Sequence, residues 1–179
     1  YVPQVGQKGK DVVWVPSPDE LVEEMLNMAK VKQGDYLIDL GSGDGRTVIA
    51  AAKRGARALG VEFNPDLVSL SRRNAEKDGV SGLAEFRVGD LFECDLSDAT
   101  VITMFLLPEI NLKLRPKILD LKPGTRIVTN TFTMGEWDPD YEITSDANWN
   151  SWNSAFLWIV PAKVDGLWRT GENELNIRQ

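Results

Sequence analysis

The chain has 179 residues, of which 42% are hydrophobic and 26% are charged, and its formal net charge is −7 at pH 7. This length and composition suit one globular domain with a sizeable core. The acidic balance disfavours duplex nucleic acid, which requires a basic surface, so no nucleic-acid partner is expected. The sequence has no histidine and a single cysteine, Cys94. The usual neutral-pH base is therefore missing, and neither an internal disulfide nor a metal site is expected.

The first segment, residues 1–18, is rich in glycine, lysine and valine and is predicted to be an extended N-terminal arm. Residues 19–179 are expected to form one domain, because they contain no linker, repeat or low-complexity tract. The longest apolar run, residues 101–107, is too short to cross a membrane, so no membrane span is expected.

Helices and strands are predicted to alternate along most of the chain. The predicted helices cover residues 19–31, 46–54, 65–78 and 109–121, and the predicted strands cover residues 36–40, 58–62, 84–88, 100–106 and 126–130. Strands that alternate with helices of this length indicate a parallel sheet with helices on both faces. The fold class is therefore α/β, doubly wound and Rossmann-like.

The pattern changes after Phe132. Residues 137–140 are predicted to form a loop and residues 154–160 a strand, and Asp165-Gly166 is a hairpin signal. Residues 174–178 are predicted to add a last edge strand. The domain is thus expected to end in an antiparallel hairpin. The tryptophans between residues 149 and 158 are interpreted as hairpin packing rather than as a cage around a cation.

The segment from Tyr36 to Gly45 combines a short apolar strand, an acid and three glycines at alternate positions. Such a turn lies at the carboxyl end of the first strand, where open α/β sheets bind ligands. A pyrophosphate there would face the like charges of Asp39 and Asp44. The dinucleotide fingerprint also fails, because it requires glycine where this chain has Arg46. A ligand with a cationic centre and sugar hydroxyls fits better, and S-adenosylmethionine is the common one.

A second acid, Glu62, ends the next predicted strand, about 20 residues after the glycine turn. At the tip of a neighbouring strand its carboxylate can accept hydrogen bonds from both ribose hydroxyls. Glu62 alone is equally consistent with a solvated strand end. The turn and the acid together favour the cofactor interpretation.

Three motifs in this order resemble those of the class I S-adenosylmethionine-dependent methyltransferases, which have a seven-stranded, mostly parallel sheet. They are Asp39-Leu-Gly-Ser-Gly-Asp-Gly45, Val61-Glu62 and Gly89-Asp90-Leu-Phe92. The resemblance implies that the turn holds the methionyl part of the cofactor, that Glu62 holds the ribose, and that the residues after the second and third strands surround the adenine. The cofactor-binding residues implied in this way are Asp39, Gly41, Ser42, Gly43, Glu62, Phe63, Asn64, Asp90 and Leu91.

Trp14-Val-Pro-Ser17 and Phe105-Leu-Leu-Pro108 narrow the resemblance to the small lysine methyltransferases that include the mitochondrial ATP synthase c-subunit enzyme. Residues 90–129 are also similar in outline to the non-SET histone lysine methyltransferases, although Thr103-Met104 stands where those enzymes carry asparagine. The resemblance implies that Ser17 reaches the amino-acid end of the cofactor and that Trp14 and Phe105 line the methyl-transfer channel. The Thr103 hydroxyl or a backbone carbonyl is expected to orient the acceptor amine there.

The sequence is therefore interpreted as an S-adenosylmethionine-dependent methyltransferase acting on a protein lysine or a small amine. The alternatives left open are another small-molecule acceptor, a nicotinamide-dependent oxidoreductase and a non-catalytic cofactor-binding module. Trp14 is equally consistent with a core anchor for the arm, and Asp44 is more typical of a turn-stabilising residue. The cofactor favours a cytoplasmic location, and the chain is taken to be bacterial. The oligomeric state stays open.

Overall fold

The computed structural model describes residues 1–10, 13–144, 152–164, 166–171 and 173–177. The helices in these ranges are α1 (Asp19–Met28), α2 (Arg46–Lys53), α3 (Pro65–Lys77) and α4 (Pro108–Leu119). The strands are β1 (Tyr36–Leu40), β2 (Arg57–Glu62), β3 (Ala84–Val88), β4 (Val101–Met104), β5 (Arg126–Asn130), β6 (Tyr141–Thr144), β7 (Ser154–Ile159), β8 (Gly166–Thr170) and β9 (Asn173–Ile177). None of the helices described is long and apolar enough to span a bilayer.

Seven of the strands form one sheet in the order β3-β2-β1-β4-β5-β7-β6. The first five strands in this order run parallel to one another, whereas β7 runs antiparallel to both β5 and β6. The prediction of a doubly wound, mostly parallel seven-stranded sheet is confirmed. Chain order reverses between β1 and β4, which creates the crevice where such sheets bind ligands.

The two faces of the sheet carry separate apolar clusters. Helices α1, α2 and α3 pack on one face against Leu37 and Val128 among others, and α4 packs on the opposite face against Ile38 and Ile102. Neighbouring residues Leu37 and Ile38 are both fully buried, on opposite faces. A central parallel strand covered on both sides is apolar along its length, as Tyr36–Leu40 is apart from Asp39.

Two details of the C-terminal region differ from the prediction. Strand β6 was not predicted, because it is an edge strand on which Ile143 alone packs against the core. The hairpin turn was predicted at Asp165-Gly166, but Gly166 is the first residue of β8, and the chain turns at Gly171 between β8 and β9. These two strands form a sheet of their own. Asp165 and Arg178 lie outside the described residues.

The tryptophans of the C-terminal region have different environments. Trp158 is fully buried in β7, and its indole N–H donates to the carbonyl of Trp137 at 2.8 Å. Trp152 is half-buried and packs against aromatic rings at the carboxyl ends of β4 and β5. Trp149 lies outside the described residues. Packing thus accounts for Trp158, whereas Trp152 lies beside the candidate site.

Candidate active site

A cavity opens at the crevice between β1 and β4, beneath the N-terminal arm. Its lining includes every predicted site residue except Thr103. Those residues are Trp14, Ser17, Asp39, Gly41, Ser42, Gly43, Glu62, Phe63, Asn64, Asp90, Leu91 and Phe105. The structure therefore brings together side chains that are scattered over about half of the sequence.

The glycine turn needs its glycines because of backbone shape and close packing. Gly41 and Gly43 have φ values of 79° and 55°, in the left-handed region that side chains disfavour. A Cβ on Gly43 would lie 2.6 Å from Nε1 of Trp14, so the indole of the arm rests directly on the turn. Trp14 thus anchors the arm and lines the cavity at the same time.

Asp39 is the most perturbed acid of the cavity. It is 7% exposed, and burial raises the pKa of its carboxyl group to about 7. A hydrogen bond from the Thr103 hydroxyl opposes this shift, and the negative charges of Glu62 and Asp44 add to it. A buried carboxylate surrounded by like charges favours a cationic ligand.

The structure corrects the role predicted for Thr103. Its side chain is fully buried, and its hydroxyl donates to Oδ1 of Asp39 at 2.6 Å. The hydroxyl lies behind Asp39 and not in the cavity lining, so it cannot orient an acceptor amine. Thr103 instead positions the Asp39 carboxylate, because β1 and β4 pair with these two residues side by side.

Both carboxylate oxygens of Glu62 accept hydrogen bonds from the backbone. Oε2 accepts from the N–H of Gly43 at 3.0 Å, and Oε1 accepts from the N–H of Asn64 at 2.9 Å. The carboxylate is therefore fixed at the carboxyl end of β2, and its remaining lone pairs are free to accept from a ligand. The next side chain, Phe63, is 52% exposed.

The N-terminal arm folds back over the adenine end of the predicted site. Gly6 N–H donates to the carbonyl of Trp14 at 2.8 Å, and Trp14 N–H donates to that of Gln7 at 2.9 Å. Nζ of Lys10 lies 2.5 Å from Oδ2 of Asp90 and 5.1 Å from the centre of the Phe63 ring. The Lys10 ammonium lowers the pKa of Asp90, and the backbone N–H of Phe92 adds to this effect.

Sequence reasoning did not single out Lys10, Asn130 or Arg46, although each contacts a predicted site residue. Nδ2 of Asn130, a fully buried side chain, donates to Oγ of Ser17 at 2.9 Å. Arg46 donates to the carbonyl of Ser17 at 2.7 Å and pairs with Asp44 at 2.6 Å. Asp44 is therefore engaged within the turn, as the turn-stabilising interpretation requires.

Three aromatic rings pack together at the carboxyl ends of β4 and β5. The ring centres of Phe105 and Phe132 are 6.2 Å apart, and that of Trp152 lies 5.7 Å from Phe105 and 5.6 Å from Phe132. We call these three residues the aromatic wall. Phe105 belongs to the cavity lining, whereas Phe132 and Trp152 do not.

The donor and acceptor set fits S-adenosylmethionine. Buried Asp39 suits a cationic amino-acid group, the fixed oxygens of Glu62 suit sugar hydroxyls, and the half-exposed ring of Phe63 suits a planar base. In the part of the chain that the structure describes, no cluster of three acidic or cysteine side chains is arranged to hold a metal ion.

A doubly wound sheet with its cavity at the switch point, and with an acid near the carboxyl end of each of the first two strands, is typical of the class I methyltransferases. Residues 39–141 match the family model of the ANTKMT methyltransferase domain. This match covers more than half of the chain, and the protein belongs to that family.

Two relatives illustrate the range of the family. The chain is 43% identical over 164 residues to a protein-lysine N-methyltransferase of Saccharolobus islandicus, covering 89% of this chain and 96% of the relative. It is 38% identical over 129 residues to the human ATP synthase c-subunit lysine N-methyltransferase, covering 72% of this chain and 55% of that protein. The chain thus spans about half the length of the human relative.

Among solved structures, an RNA methyltransferase from Salinibacter ruber in complex with S-adenosylhomocysteine superposes with a TM-score of 0.79. It is 47% identical, and the match covers 84% of this chain and 96% of that one. The relatives therefore agree on fold and methyl transfer, but their descriptions differ in the acceptor.

Proposed function

We propose that the protein transfers the methyl group of S-adenosylmethionine to the side-chain amine of a protein lysine. The observation that carries this proposal is that the rings of Trp14 and Phe105 lie within the same cavity lining as the acids of the cofactor site. The two lysine methyltransferases at 43% and 38% identity support the choice of acceptor.

The cofactor site would divide into three parts. Asp39, the glycine turn and Ser17 would hold the amino-acid end, and Glu62 would accept from the ribose hydroxyls. Phe63 and Leu91 would face the adenine, and Asp90 would accept from its amino group. Since Lys10 occupies Asp90 in the structure, the arm and the adenine compete for the same carboxylate.

The bound cofactor supplies an electrophilic methyl carbon on a positively charged sulfur. The protein must align the acceptor nitrogen with it and remove the proton of that nitrogen. A lysine amine has a pKa of about 10.4 in water, but burial among apolar rings lowers the pKa because it disfavours the charged form. The chain has no histidine, so we assign deprotonation to this desolvation.

RNA is the second candidate acceptor, because the Salinibacter ruber structure at 47% identity is described as an RNA methyltransferase. The net charge of −7 opposes it, since phosphate backbones bind basic surfaces. A protein lysine carries the opposite charge and is favoured.

The acceptor assignment is tested by labelled methyl transfer to lysine-containing peptides and to an RNA transcript in parallel. We expect label in methylated lysine after acid hydrolysis of the peptides and none in nucleosides. Label in nucleosides alone would overturn the proposal in favour of RNA.

Replacing Glu62 by Gln should weaken cofactor binding by about 10- to 100-fold. The amide replaces one of the two carboxylate oxygens, which the N–H groups of Gly43 and Asn64 hold in place, with an NH₂ group. A ribose hydroxyl that would donate to that oxygen loses its acceptor in the complex, at a cost of about 1–3 kcal/mol of binding free energy. Calorimetric titration with S-adenosylmethionine and S-adenosylhomocysteine measures the effect. Glu85→Gln, an exposed acid on β3, is the control for lost charge. Equal affinities of the two variants would remove Glu62 from the site.

Replacing Phe105 by Ala should reduce turnover by about 100-fold and change cofactor affinity little, because the ring positions the acceptor rather than the cofactor. Phe63→Ala is the matched variant with the opposite expectation. Loss of its stacking should weaken cofactor binding by about 10-fold. Steady-state kinetics together with calorimetry separates the two. Similar losses of cofactor affinity in both variants would contradict the assignment of Phe105 to the acceptor end.

A further inference from the structure

We propose that Asn130 is a positioning residue, which acts through Ser17 to orient a hydrogen-bond donor toward the carboxylate of the bound cofactor. The side-chain amide of Asn130 donates to the Ser17 oxygen, so the Ser17 hydroxyl is left to donate its own proton into the cavity. This inference rests on the cofactor of the proposed function and deepens it, because it states how one charged group of that cofactor is recognised.

The amino-acid end of S-adenosylmethionine carries two opposite charges, an ammonium and a carboxylate. Buried Asp39 suits the ammonium, because a carboxylate surrounded by like charges favours a cation. An acidic side chain does not suit the second group, because an ionised carboxylate only accepts hydrogen bonds and needs donors. The cavity must therefore supply N–H or O–H donors in addition to Asp39.

The N–H groups of the glycine turn are engaged within the fold. Those of Gly41 and Ser42 both donate to the carbonyl of Val61, at 2.9 and 3.1 Å. That of Gly43 donates to Oε2 of Glu62 at 3.0 Å. A ligand that used these three donors would have to break bonds that hold the turn, so side-chain donors are favoured.

Ser17 is held at both its side chain and its backbone. Three hydroxyl side chains belong to the cavity lining, those of Ser17, Ser42 and Thr47. In the described part of the chain, only the Ser17 oxygen of these three accepts from another side chain, which is Nδ2 of Asn130 at 2.9 Å. The Ser17 carbonyl accepts from Arg46 at 2.7 Å. Ser17 therefore offers a hydroxyl whose position is set before a ligand binds.

The amide of Asn130 is itself fixed. Asn130 is fully buried, and its Oδ1 accepts from Oγ1 of Thr131 at 2.8 Å. Thr131 has a φ of 63°, which is uncommon for a β-branched residue and persists where the surrounding structure enforces it. The N–H of Thr131 donates to the carbonyl of Ser154 at 2.8 Å. With its oxygen engaged by Thr131, the amide presents its NH₂ group to Ser17.

This arrangement sets the direction of the Ser17 hydroxyl. A hydroxyl has one proton to donate and two lone pairs that accept. Because Asn130 occupies one lone pair, the proton points elsewhere, and it has no acceptor among the described residues. A ligand carboxylate would provide that acceptor, and hydrogen bonds to a charged group are the stronger kind. An acid at position 130 would reverse the direction, because it would accept the Ser17 proton itself.

The test compares the affinity of the protein for S-adenosylhomocysteine with that for its decarboxylated analogue, which keeps the amine, the sulfur and the nucleoside. We expect the native protein to bind S-adenosylhomocysteine about 10- to 100-fold tighter than the analogue. Asn130→Asp and Ser17→Ala should each reduce this preference by about 10-fold. Asn130→Leu, which frees the hydroxyl to rotate but does not accept its proton, should reduce the preference by a smaller factor. Calorimetric titration measures both affinities.

A matched control and a double variant show whether Asn130 acts through Ser17. Asn111→Leu is the control, because Asn111 is also fully buried but its amide donates to the carbonyls of Phe132 and Thr133. It should leave the preference unchanged. In the Ser17→Ala protein, Asn130→Leu should have no further effect on the preference, since the hydroxyl that it orients is gone.

Each result decides between defined alternatives, and binding of the decarboxylated analogue shows that a variant is folded. Equal weakening of both ligands by the Asn130 variants would overturn the inference in favour of a structural role for the amide. A further loss of preference on Asn130→Leu in the Ser17→Ala protein would exclude the route through Ser17. Equal affinities of the native protein for the two ligands would overturn the inference and leave the proposed function standing, whereas failure to bind either ligand would remove both.

Discussion

Replacing Asp39 by Asn is expected to weaken S-adenosylmethionine binding by at least about 30-fold while making the ligand-free protein more stable. Both effects come from one buried carboxylate. Truncating one charge of a buried ion pair costs about 2–5 kcal/mol of binding, and Asp39 is the acid that we assign to the cationic end of the cofactor. Without a ligand the same charge faces Glu62 and Asp44 and has no cation to offset its burial.

The stability gain should depend on pH in a defined direction. The pKa of Asp39 is raised from 3.8 to about 7, so between these values the folded protein holds a proton that the unfolded chain releases. Stability therefore falls as pH rises from about 4 to 7, and the full penalty, up to about 4 kcal/mol, is present at pH 8. Asparagine resembles the protonated, neutral form of Asp39 and can still accept the hydrogen bond from Thr103. The Asp39→Asn variant therefore does not have the cost of a buried negative charge.

Urea unfolding of both proteins at pH 5 and pH 8 without ligand measures this difference. We expect Asp39→Asn to be more stable at pH 8, with a gain that shrinks by more than half at pH 5. Asp98→Asn, whose carboxylate is exposed, should show neither effect. For the native protein, cofactor affinity should rise as pH increases through 7. A variant that is less stable than the native protein at both pH values would contradict the buried-charge argument.

The sheet was predictable because its central strands leave strong local signals. Tyr36–Leu40 and Arg57–Glu62 are apolar runs that end in an acid, and the glycine turn follows the first of them. β6 leaves no such signal, because most of its residues are exposed and its position is set by pairing with β7. A strand that is defined mainly by its neighbour is not encoded in its own periodicity.

The misplaced role of Thr103 has a related cause. A hydroxyl side chain near the end of a strand is compatible with a place in the methyl-transfer channel. The role of Thr103, however, depends on the register between β1 and β4. Asp39 and Thr103 are paired across β1 and β4, and this pairing aims the hydroxyl at the carboxylate. Strand order and register are tertiary properties, so one sequence without its partners does not reveal them. The contact of Lys10 with Asp90, 80 residues away, is hidden for the same reason.

The aromatic wall, too, could be predicted only in part from the sequence. Phe105 was predicted from a motif, but Phe132 and Trp152 join it only because β7 returns antiparallel beside β5. The sequence interpretation of the tryptophans as packing therefore holds for Trp158 and misses the environment of Trp152. The C-terminal part of the chain is where sequence patterns were weakest.

Replacing Gly45 by Ala is expected to be the most destabilising single-methyl change in the turn, costing about 2–5 kcal/mol. Gly45 has a φ of 86°, and a Cβ there would lie 2.7 Å from Cε1 of Phe86 and 2.8 Å from Cβ of Ser71. Both neighbours are buried and cannot yield easily, so overpacking of about 1–3 kcal/mol adds to a left-handed penalty of about 1–2 kcal/mol.

Gly79→Ala separates the two contributions. Gly79 has a comparable φ of 71°, but nothing lies within 4 Å of its Cβ position. The stability of this variant should therefore fall only by the left-handed penalty. Urea unfolding measures the free energy of unfolding of both variants, and the difference between their losses is the cost of the steric clash at Gly45. Equal losses would show that the turn relaxes around the methyl group and that its packing against Phe86 is not rigid.

A rigid turn would also explain why glycines recur at alternate positions. A Cβ at Gly41 would meet Leu106, one at Gly43 would meet Trp14, and one at Gly45 would meet Phe86 and Ser71. Four different segments of the chain therefore pack against this short turn, and Ser71 also donates from its hydroxyl to the carbonyl of Gly43 at 3.0 Å. The turn is held from all sides before any ligand arrives. Gly45→Ala should consequently weaken binding of S-adenosylhomocysteine as well as folding, whereas Gly79→Ala should leave that affinity unchanged.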